Sequence, residues 1–289
     1  MNYRMHGVTR RDDYEYILDR VEYYNKLNTP VAITSKDKLT LKEFIKRRHS
    51  YLSRYFYDTY SVIKGFDKSL PIVPLFGDVT TIPPLPSIVK SRPIEGDNHN
   101  SVVLKLDRLR HFLFLRDSIP FRAKDPRALG YTYAKYKQNR IDFLELYRDR
   151  EEICICGNVM RDPTVDDRLY RDKITILDHL KFRYIIALEG NDVATNLKWI
   201  MSSNCIAVMP KPTYETWFME GRLIPNYHYI EIKSDFSDLE ERLEYYNTHL
   251  DEAEAIVRNG QEYIDQFRDS KREKIIGYMT MQRYFEFVN

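Results

Sequence analysis

The stretch from Gly190 to Asn196, GNDVATN, has residue types suited to binding a phosphate group. It follows Tyr184–Leu188, an apolar run without polar alternation, which is typical of a strand covered on both faces in a parallel sheet. Gly190 allows a sharp turn, and Asn191 or Asp192 can cap a helix that follows. The free amide groups of that helix would face a ligand at the carboxyl edge of the sheet. The same residues can also serve for helix capping alone.

Asp78 is the second candidate for chemistry. It follows Gly77 in the segment Pro71–Ile94, which predicts two short strands separated by a proline-rich turn. At the end of a strand its carboxylate would lie where active-site groups are common, and a carboxylate there can take a proton from a hydroxyl group. An aspartate in a glycine turn can instead bond its own backbone. The residues alone leave both roles open.

His99 is a third candidate, with two possible roles. It lies in the polar segment Asn98–Ser101, which we expect to precede a helix whose apolar residues extend from Leu104 to Leu113. Its imidazole could contact a bound ligand. It could equally be a loop histidine that is hydrogen-bonded to the backbone.

Cysteines and acidic pairs give no sign of a metal centre. The chain has three cysteines, and Cys154 and Cys156 would point to opposite faces of a strand. This pattern is typical of a reduced cytosolic protein without disulfides or a zinc site. Asp166 and Asp167 lie in a loop of mixed charge, outside any Asp-x-Asp motif. We therefore expect chemistry that is independent of divalent cations.

Length and charge restrict the class of protein. The 289 residues suffice for one large α/β domain or two small ones, and the net charge of +2 is too small to predict nucleic acid as the main partner. The N-terminus lacks the apolar core of a signal peptide, and no segment has the length of a membrane span. We therefore expect a cytoplasmic protein with at most peripheral contact with the inner face of the membrane.

Helical and apolar patterns predict the elements that position these residues. Towards the N-terminus they are the helix Arg11–Leu27, the strand Pro30–Thr34 and the helix Thr40–Tyr60. Thr40 can cap the last of these, with Glu43 as its capping-box partner. The same helix carries the basic cluster Lys46–His49, which suits either a solvated face or contact with anionic lipid.

Downstream of a proline- and charge-rich boundary at Ser118–Pro126, predicted strands alternate with helices. The strands are Arg127–Tyr131, Ile153–Cys156, Tyr184–Leu188, Cys205–Met209 and Ile230–Lys233. The helices are Gln138–Tyr147, Thr175–Phe182, one beginning at Asn191 or Asp192, Leu239–Thr248, Glu252–Phe267 and Ser270–Val288. Such alternation is typical of an α/β fold with a parallel sheet.

Three segments in series resemble the CAP10-type glycosyltransferases, which form glycosyltransferase family 90 and include protein O-glucosyltransferases and bacterial lipopolysaccharide glycosyltransferases. The segments are EGNDVATNLKWIMSS, KPTYETWFMEG and PNYHYIEIKSDFSDL. The similarity is densest from Asp178 to Phe267 and reappears around Phe76 to Phe114. It implies two Rossmann-like halves in a GT-B-like α/β fold, with the active site in the cleft between them. The halves would be residues 1–124 on the acceptor side, with 270–289 crossing back to them, and 125–269 on the donor side.

The resemblance also assigns roles to residues. It places the family's proposed general base at Asp78, shortly before a strand that ends in Lys90 and Ser91, and these two residues together with His99 would contact the acceptor or the sugar. Glu215 would bind the ribose diol, or else make a capping contact or a surface ion pair. The donor-binding residues would then be Arg140, Gly190, Asn191, Asp192, Val193, Ala194, Thr195, Asn196 and Glu215.

One departure from the family concerns the donor diphosphate. CAP10-type enzymes usually carry Arg-Gly where the strand Arg127–Tyr131 ends, whereas this chain has ALGYT from Ala128 to Thr132. A helix N-terminus contributes only about 0.3 to 2 kcal/mol towards an anion, so a diphosphate needs a side-chain cation as well. Lys135, Lys137 or Arg140 could supply it, and we select Arg140.

The sequence therefore predicts an inverting glycosyltransferase without a cofactor or metal. Its donor would be a nucleotide sugar, with UDP as the expected nucleotide, and its acceptor a glycan or glycolipid such as a lipopolysaccharide core. One alternative is a noncatalytic α/β module that binds a nucleotide or a glycan. Another is a tyrosine-rich interaction protein whose basic helix docks on phosphorylated lipid.

Overall fold

The computed structural model describes residues 11–33 and 38–288, and for residues 11 and 12 it describes the backbone only. The chain divides into two compact units. The first unit comprises the described residues up to Arg108, Glu215–Trp217, and the described residues from Phe267 onwards. The second unit comprises Leu109–Tyr214 and Phe218–Gln266. As functional domains, 1–124 and 125–269 stay a prediction.

Helices and strands are numbered in chain order over the described residues. The helices are α1 Arg11–Tyr24, α2 Leu41–Lys46, α3 Ser53–Ile63, α4 Arg108–His111, α5 Gln138–Tyr147, α6 Ile176–His179, α7 Leu197–Met201, α8 Leu239–Thr248, α9 Leu250–Asp265 and α10 Ser270–Phe287. The strands are β1 Leu39–Thr40, β2 Pro71–Ile72, β3 Ser87–Val89, β4 Ser91–Pro93, β5 Ser101–Val103, β6 Asp125–Thr132, β7 Cys154–Asn158, β8 Phe182–Ile186, β9 Ile206–Met209, β10 Tyr214–Thr216 and β11 Ile230–Glu231. None of these helices has the length and apolar composition needed to cross a bilayer.

The second unit is built on a parallel sheet of five strands in the order β11-β9-β8-β6-β7. The predicted apolar runs form its centre, and every residue of β9 is buried. The helices α5, α7, α8 and α9 contact these strands, which explains why the strands lack polar alternation. The prediction of an α/β fold with a parallel sheet is therefore confirmed.

The strand order of this sheet identifies its ligand-binding edge. Numbered from the first strand of the sheet in chain order, β6, the spatial order is 2-1-3-4-5. The direction in which the chain adds strands thus reverses between β6 and β8. In open parallel sheets, ligands bind outside the carboxyl ends of the strands at this reversal.

The first unit has a different architecture over its described residues. Its strands form two-stranded pairings, in which β1 pairs with β2, β3 with β5, and β4 with β10. The long helices α1 and α10 pack against each other. A second Rossmann-like half and the GT-B-like layout therefore stay predictions. The predicted strand Pro30–Thr34 ends outside the described residues, and Val31 makes only an isolated bridge to Val288.

Two predicted helices in this part of the chain were wrong. The helix Thr40–Tyr60 is interrupted between α2 and α3, although the capping box of Thr40 and Glu43 is present. The interruption lets the Phe44 and Phe56 rings stack at 5.3 Å, whereas twelve residues of continuous helix would separate them by about 18 Å. The predicted helix after Asn98–Ser101 is strand β5 followed by the short helix α4, because β5 pairs with β3.

Candidate functional site

A cavity of about 200 Å³ lies at the carboxyl ends of β6 and β8, where the strand order reverses. The predicted residues Arg140, Thr195 and Asn196 contribute to its walls. The other lining residues are Gly130, Tyr131, Thr132, Tyr133, Phe143, His179, Ile186, Leu188 and Trp199. Pockets that enclose a drug-sized ligand usually measure about 300 to 1,000 Å³. This cavity can therefore accommodate one part of a larger ligand.

Arg140, in the first turn of α5, has its guanidinium held by three main-chain carbonyl groups. It donates from Nη1 to Tyr133 O at 2.8 Å, from Nη2 to Leu188 O at 2.7 Å and from Nε to Glu189 O at 3.1 Å. No carboxylate among the side chains that the structure describes forms an ion pair with it. Burial, and then the nearby charge of Arg110, lowers the pKa of Arg140 to about 10. The group is thus oriented and charged, and it lacks a counter-ion.

Gly190 makes room for this guanidinium. A Cβ atom at position 190 would lie 3.0 Å from Nη2 of Arg140. The backbone φ of Gly190 is outside the positive range, which Gly77 and Gly96 occupy. Gly190 lies in a bend, as predicted, but its φ is not positive, so the absence of a side chain serves the close packing of Arg140.

Two more cations contact the turn that follows Gly190. Lys137 donates to Oδ1 of Asn191, and Arg110 donates from Nη2 to Oγ1 of Thr195 at 3.2 Å. Asn196 holds the end of the turn by donating from Nδ2 to Ile186 O at 3.0 Å. Arg110 on α4 and Lys137 after β6 thus lie with Arg140 at one edge of the sheet. Lys137 was one of three predicted candidates for the cation that binds the diphosphate, and Arg110 had no predicted role.

The predicted start of the helix at Asn191 or Asp192 was wrong. Helix α7 begins at Leu197, after the turn, and its five residues are too few to provide a strong dipole. Asp192, Val193 and Ala194 are buried, and the Asp192 carbonyl accepts a hydrogen bond from the Gly190 amide at 2.9 Å. These three residues shape the turn from within, so the positive charge at this edge comes from side chains.

His179 is the main site residue that sequence reasoning missed. Its ring meets the Trp199 ring edge-on at 5.6 Å and the Tyr131 ring at 6.2 Å. Its Nδ1 lies 2.8 Å from Thr175 O, so Nδ1 carries the proton and donates it to that carbonyl, while Nε2 is an acceptor. Burial lowers the pKa of His179, which favours this neutral form. His179 is the last residue of the short helix α6 and belongs to no recognisable motif, so no signal in the sequence identified it.

Glu189 follows β8 and lies beside a second cavity of about 190 Å³. Its Oε1 accepts hydrogen bonds from the amides of Thr213 at 2.9 Å and Tyr214 at 3.1 Å, and its Oε2 accepts one from Oγ1 of Thr213 at 2.5 Å. Burial raises the pKa of Glu189, and the hydrogen bonds from Thr213 and Tyr214 oppose that effect. The carboxylate thus ties the loop before β10 to the edge of the sheet. Val193 and Ala194 line this second cavity as well.

In the first unit, Asp78 forms an ion pair with Lys90, and Ser91 contacts the neighbouring residue Val79. Oδ1 of Asp78 lies 2.5 Å from Nζ of Lys90, and Oγ of Ser91 accepts a hydrogen bond from the Val79 amide at 3.2 Å. The Lys90 side chain is buried, whereas a quarter of the Asp78 side chain is exposed. Gly77, with a φ of 118°, makes the turn that presents Asp78. An ammonium group at this distance stabilises an ionised carboxylate, the form that can accept a proton.

His99 and Glu215 have other partners in the first unit. The exposed His99 ring bonds through Nδ1 to Asp97 at 2.9 Å. Glu215 is buried, accepts from Nε of Arg92 at 2.7 Å and accepts from the Tyr23 hydroxyl. Glu215 therefore forms a buried ion pair and not the surface pair considered above, and it belongs to the first unit instead of the donor half. Its predicted contact with ribose stays a prediction.

Comparison with known proteins shows the family. A family model described as Glycosyl transferase family 90 matches residues 114–288. The O-glucosyltransferase LpsA of Dichelobacter nodosus is 40% identical over 272 residues, which is 94% of this chain and 83% of the relative. Protein O-glucosyltransferase 2 of Danio rerio is 29% identical over 31% of this chain and 18% of that protein. Protein O-glucosyltransferase 3 of Homo sapiens is 27% identical over 38% of this chain and 21% of that protein. The chain therefore belongs to glycosyl transferase family 90 and is a glycosyltransferase.

Proposed function

We propose that this enzyme transfers a sugar, with inversion at the anomeric carbon, from a UDP-sugar to a cell-surface glycan precursor such as a lipopolysaccharide core. Glucose is the sugar we expect, because the relative from Dichelobacter nodosus is called an O-glucosyltransferase. The GT-B-like layout and a cytoplasmic location belong to the same proposal. Family membership favours it over a noncatalytic nucleotide- or glycan-binding module.

The observation that carries this proposal is the Arg140 guanidinium without a counter-ion at the reversal of strand order. A diphosphate would supply the missing negative charge, and guanidinium groups match phosphate oxygens in geometry. The contacts of Lys137 and Arg110 with the neighbouring turn place two further positive charges on the same edge. Because the three carbonyl groups already orient Arg140, little rotamer entropy is lost when the anion binds.

The lining of the cavity suits the uncharged part of the donor. Tyr131, His179 and Trp199 offer ring edges and faces, on which a base or a sugar can pack. Thr195 and Asn196 add polar groups on the same wall. With the Nδ1 proton of His179 donated to Thr175, the lone pair on Nε2 can accept a hydrogen bond from a ligand N–H or O–H. The cavity therefore offers both stacking and hydrogen bonding to one ring.

In the reaction we propose, Asp78 takes the proton of the acceptor hydroxyl as its oxygen attacks the anomeric carbon. The bond from that carbon to the donor diphosphate breaks, and the diphosphate leaves with the bonding electron pair. Cations placed where this charge develops stabilise the transition state, which is the role we assign to Arg140 and its neighbours. The reaction balances without a metal ion, so no divalent cation is part of the proposal.

The test is the affinity for UDP measured by calorimetry. Arg140→Gln should weaken UDP binding by about 10- to 100-fold, since a hydrogen bond to a charged group contributes about 1.5 to 3 kcal/mol. The UDP affinity of Arg140→Lys should lie between that of the wild type and that of Arg140→Gln. Arg127→Gln removes an arginine of the same sheet that pairs with Asp125, outside the cavity, and should bind UDP like the wild type. A folded Arg140→Gln variant with unchanged UDP affinity would contradict the proposal.

A further inference from the structure

A run of cations in the first unit forms no ion pair with a carboxylate of a described residue. Lys46, Arg47 and Arg48 are exposed, and no carboxylate of a described residue forms an ion pair with them. The sequence from Phe44 to Tyr57 contains no acidic residue. Arg48 donates from Nε to Nε2 of His49 at 3.0 Å, which orients the guanidinium but leaves its charge in place. The charge of the whole chain is only +2, so this segment is a local concentration of positive charge.

Large apolar side chains are exposed next to this run. Leu52, which immediately precedes α3, is 57% exposed, and Tyr57 on α3 is 60% exposed. Tyr60 is one helical turn further along α3 and is 37% exposed. Beneath them, the Phe56 ring contacts both tyrosine rings, at 5.3 and 5.8 Å. The two tyrosine rings therefore pack against the buried Phe56 ring and are still open to solvent.

A cavity of about 320 Å³ opens beside the same run. Its lining residues are Leu39, Val73, Pro74, Leu75, Pro83, Pro84 and Leu85 together with Arg47, Tyr51 and Ser87. Leu75 is itself 39% exposed. Arg47 belongs both to the cationic run and to the cavity wall. Arg47 thus places a positive charge beside exposed aliphatic side chains, an arrangement that suits an amphiphile whose head is an anion.

We propose that Lys46, Arg47, Arg48, Leu52 and Tyr57 form a docking surface for a bilayer that contains anionic phospholipids. The three cations would bind headgroup phosphates, while Leu52 and Tyr57 would enter the interfacial layer, where tyrosine and aliphatic side chains are stable. A nucleic acid is the less suitable partner for this surface, because the cationic run is short and its exposed neighbours are aliphatic as well as aromatic. This inference goes beyond the proposed function and does not depend on the donor site.

Vesicle co-sedimentation tests the electrostatic half of the inference. The wild-type protein should bind vesicles with about one-third phosphatidylglycerol and release at high salt, since each basic residue near an anionic surface contributes about fivefold to partitioning. The Lys46→Gln, Arg47→Gln, Arg48→Gln variant should partition about 100-fold less. A control variant, Lys173→Gln, Lys271→Gln, Lys274→Gln, removes three positive charges elsewhere in the chain. This variant should bind the vesicles like the wild type. Equal loss in both variants, or no binding by the wild type, would overturn the docking surface.

Fluorescence of Leu52→Trp tests whether the surface enters the bilayer. The native tryptophans, Trp199 and Trp217, are buried, so a change in emission on binding reports position 52. Anionic vesicles should shift its emission to the blue, and a lipid-borne quencher should quench it, whereas inorganic phosphate should do neither. Unchanged emission on bound vesicles would overturn the insertion of Leu52 and the assignment of this surface. UDP affinity measured on the three-charge variant should equal that of the wild type, so loss of docking and failure of the donor site are distinguishable.

Discussion

Gly190→Ala tests the donor site with a single methyl group placed against Arg140. The added carbon would lie 3.0 Å from Nη2, 3.5 Å from Cζ and 3.8 Å from Nη1 of that side chain. Because unstrained contacts of this kind begin at about 3.5 Å, the guanidinium must move by about 0.5 Å. That movement distorts the 2.7 Å bond from Nη2 to Leu188 O and displaces the charge from the position that an anion would occupy.

We expect Gly190→Ala to lower the affinity for UDP and to leave the stability of the protein almost unchanged. The displaced guanidinium should lose part of its charge-assisted hydrogen bond to the UDP diphosphate. A loss of about 1 kcal/mol weakens UDP binding about fivefold. The free energy of unfolding should change little, because the gain of about 0.4 to 1 kcal/mol from restricting the unfolded chain offsets the weakened bond from Arg140 to Leu188 O. A weaker site in an equally stable protein is not expected from general damage to the fold.

Calorimetry with UDP and thermal unfolding measure the two quantities. Gly65→Ala is the matched control, since a Cβ atom there would meet nothing within 4 Å. In an Arg140→Gln background, Gly190→Ala should have no further effect on UDP affinity, because the group that it displaces is absent. The reasoning is refuted if Gly190→Ala binds UDP as tightly as the wild type, or if it weakens binding equally in both backgrounds.

Four further outcomes are expected. Asp78→Asn should lower transfer by roughly 10²- to 10⁴-fold and leave UDP affinity unchanged, and normal turnover would show that the base is elsewhere. Glu215→Gln breaks the buried pair with Arg92 and should cost about 3 kcal/mol of stability, whereas a stable variant with weak UDP binding would favour the ribose contact instead. Burial lowers the pKa of His179 below the ordinary 6.5, so the unfolded chain takes up the proton first. The free energy of unfolding should therefore fall as the pH drops below about 6.5, with a smaller slope in His179→Gln. Transfer should persist with excess chelator, and rescue by manganese of a chelated, inactive enzyme would contradict the metal-free reaction.

Local patterns in the sequence determined the elements of the second unit. The apolar runs without alternation became buried parallel strands, and the helices Gln138–Tyr147 and Leu239–Thr248 have their predicted bounds. The position of Gly190–Asn196 at the carboxyl edge also followed from the order of strand, turn and helix. Thr40 and Glu43 form the capping box that their spacing indicated. Each of these features depends on residues within a few positions of one another, so hydrophobic periodicity and capping chemistry suffice to predict them.

Tertiary structure alone decided which side chains meet. The β-branched pair Val102 and Val103 forms a strand because β3 lies beside it, which overrides the helical pattern around them. Glu215 and Arg92 are 123 residues apart in sequence, and their pairing was invisible to any local pattern. Tyr131 and His179 meet at one cavity, where β6 and β8 are neighbours in the sheet, an order that the βαβ pattern leaves open. Contacts between distant residues depend on strand order and side-chain packing across the whole unit, and no local propensity encodes either of them.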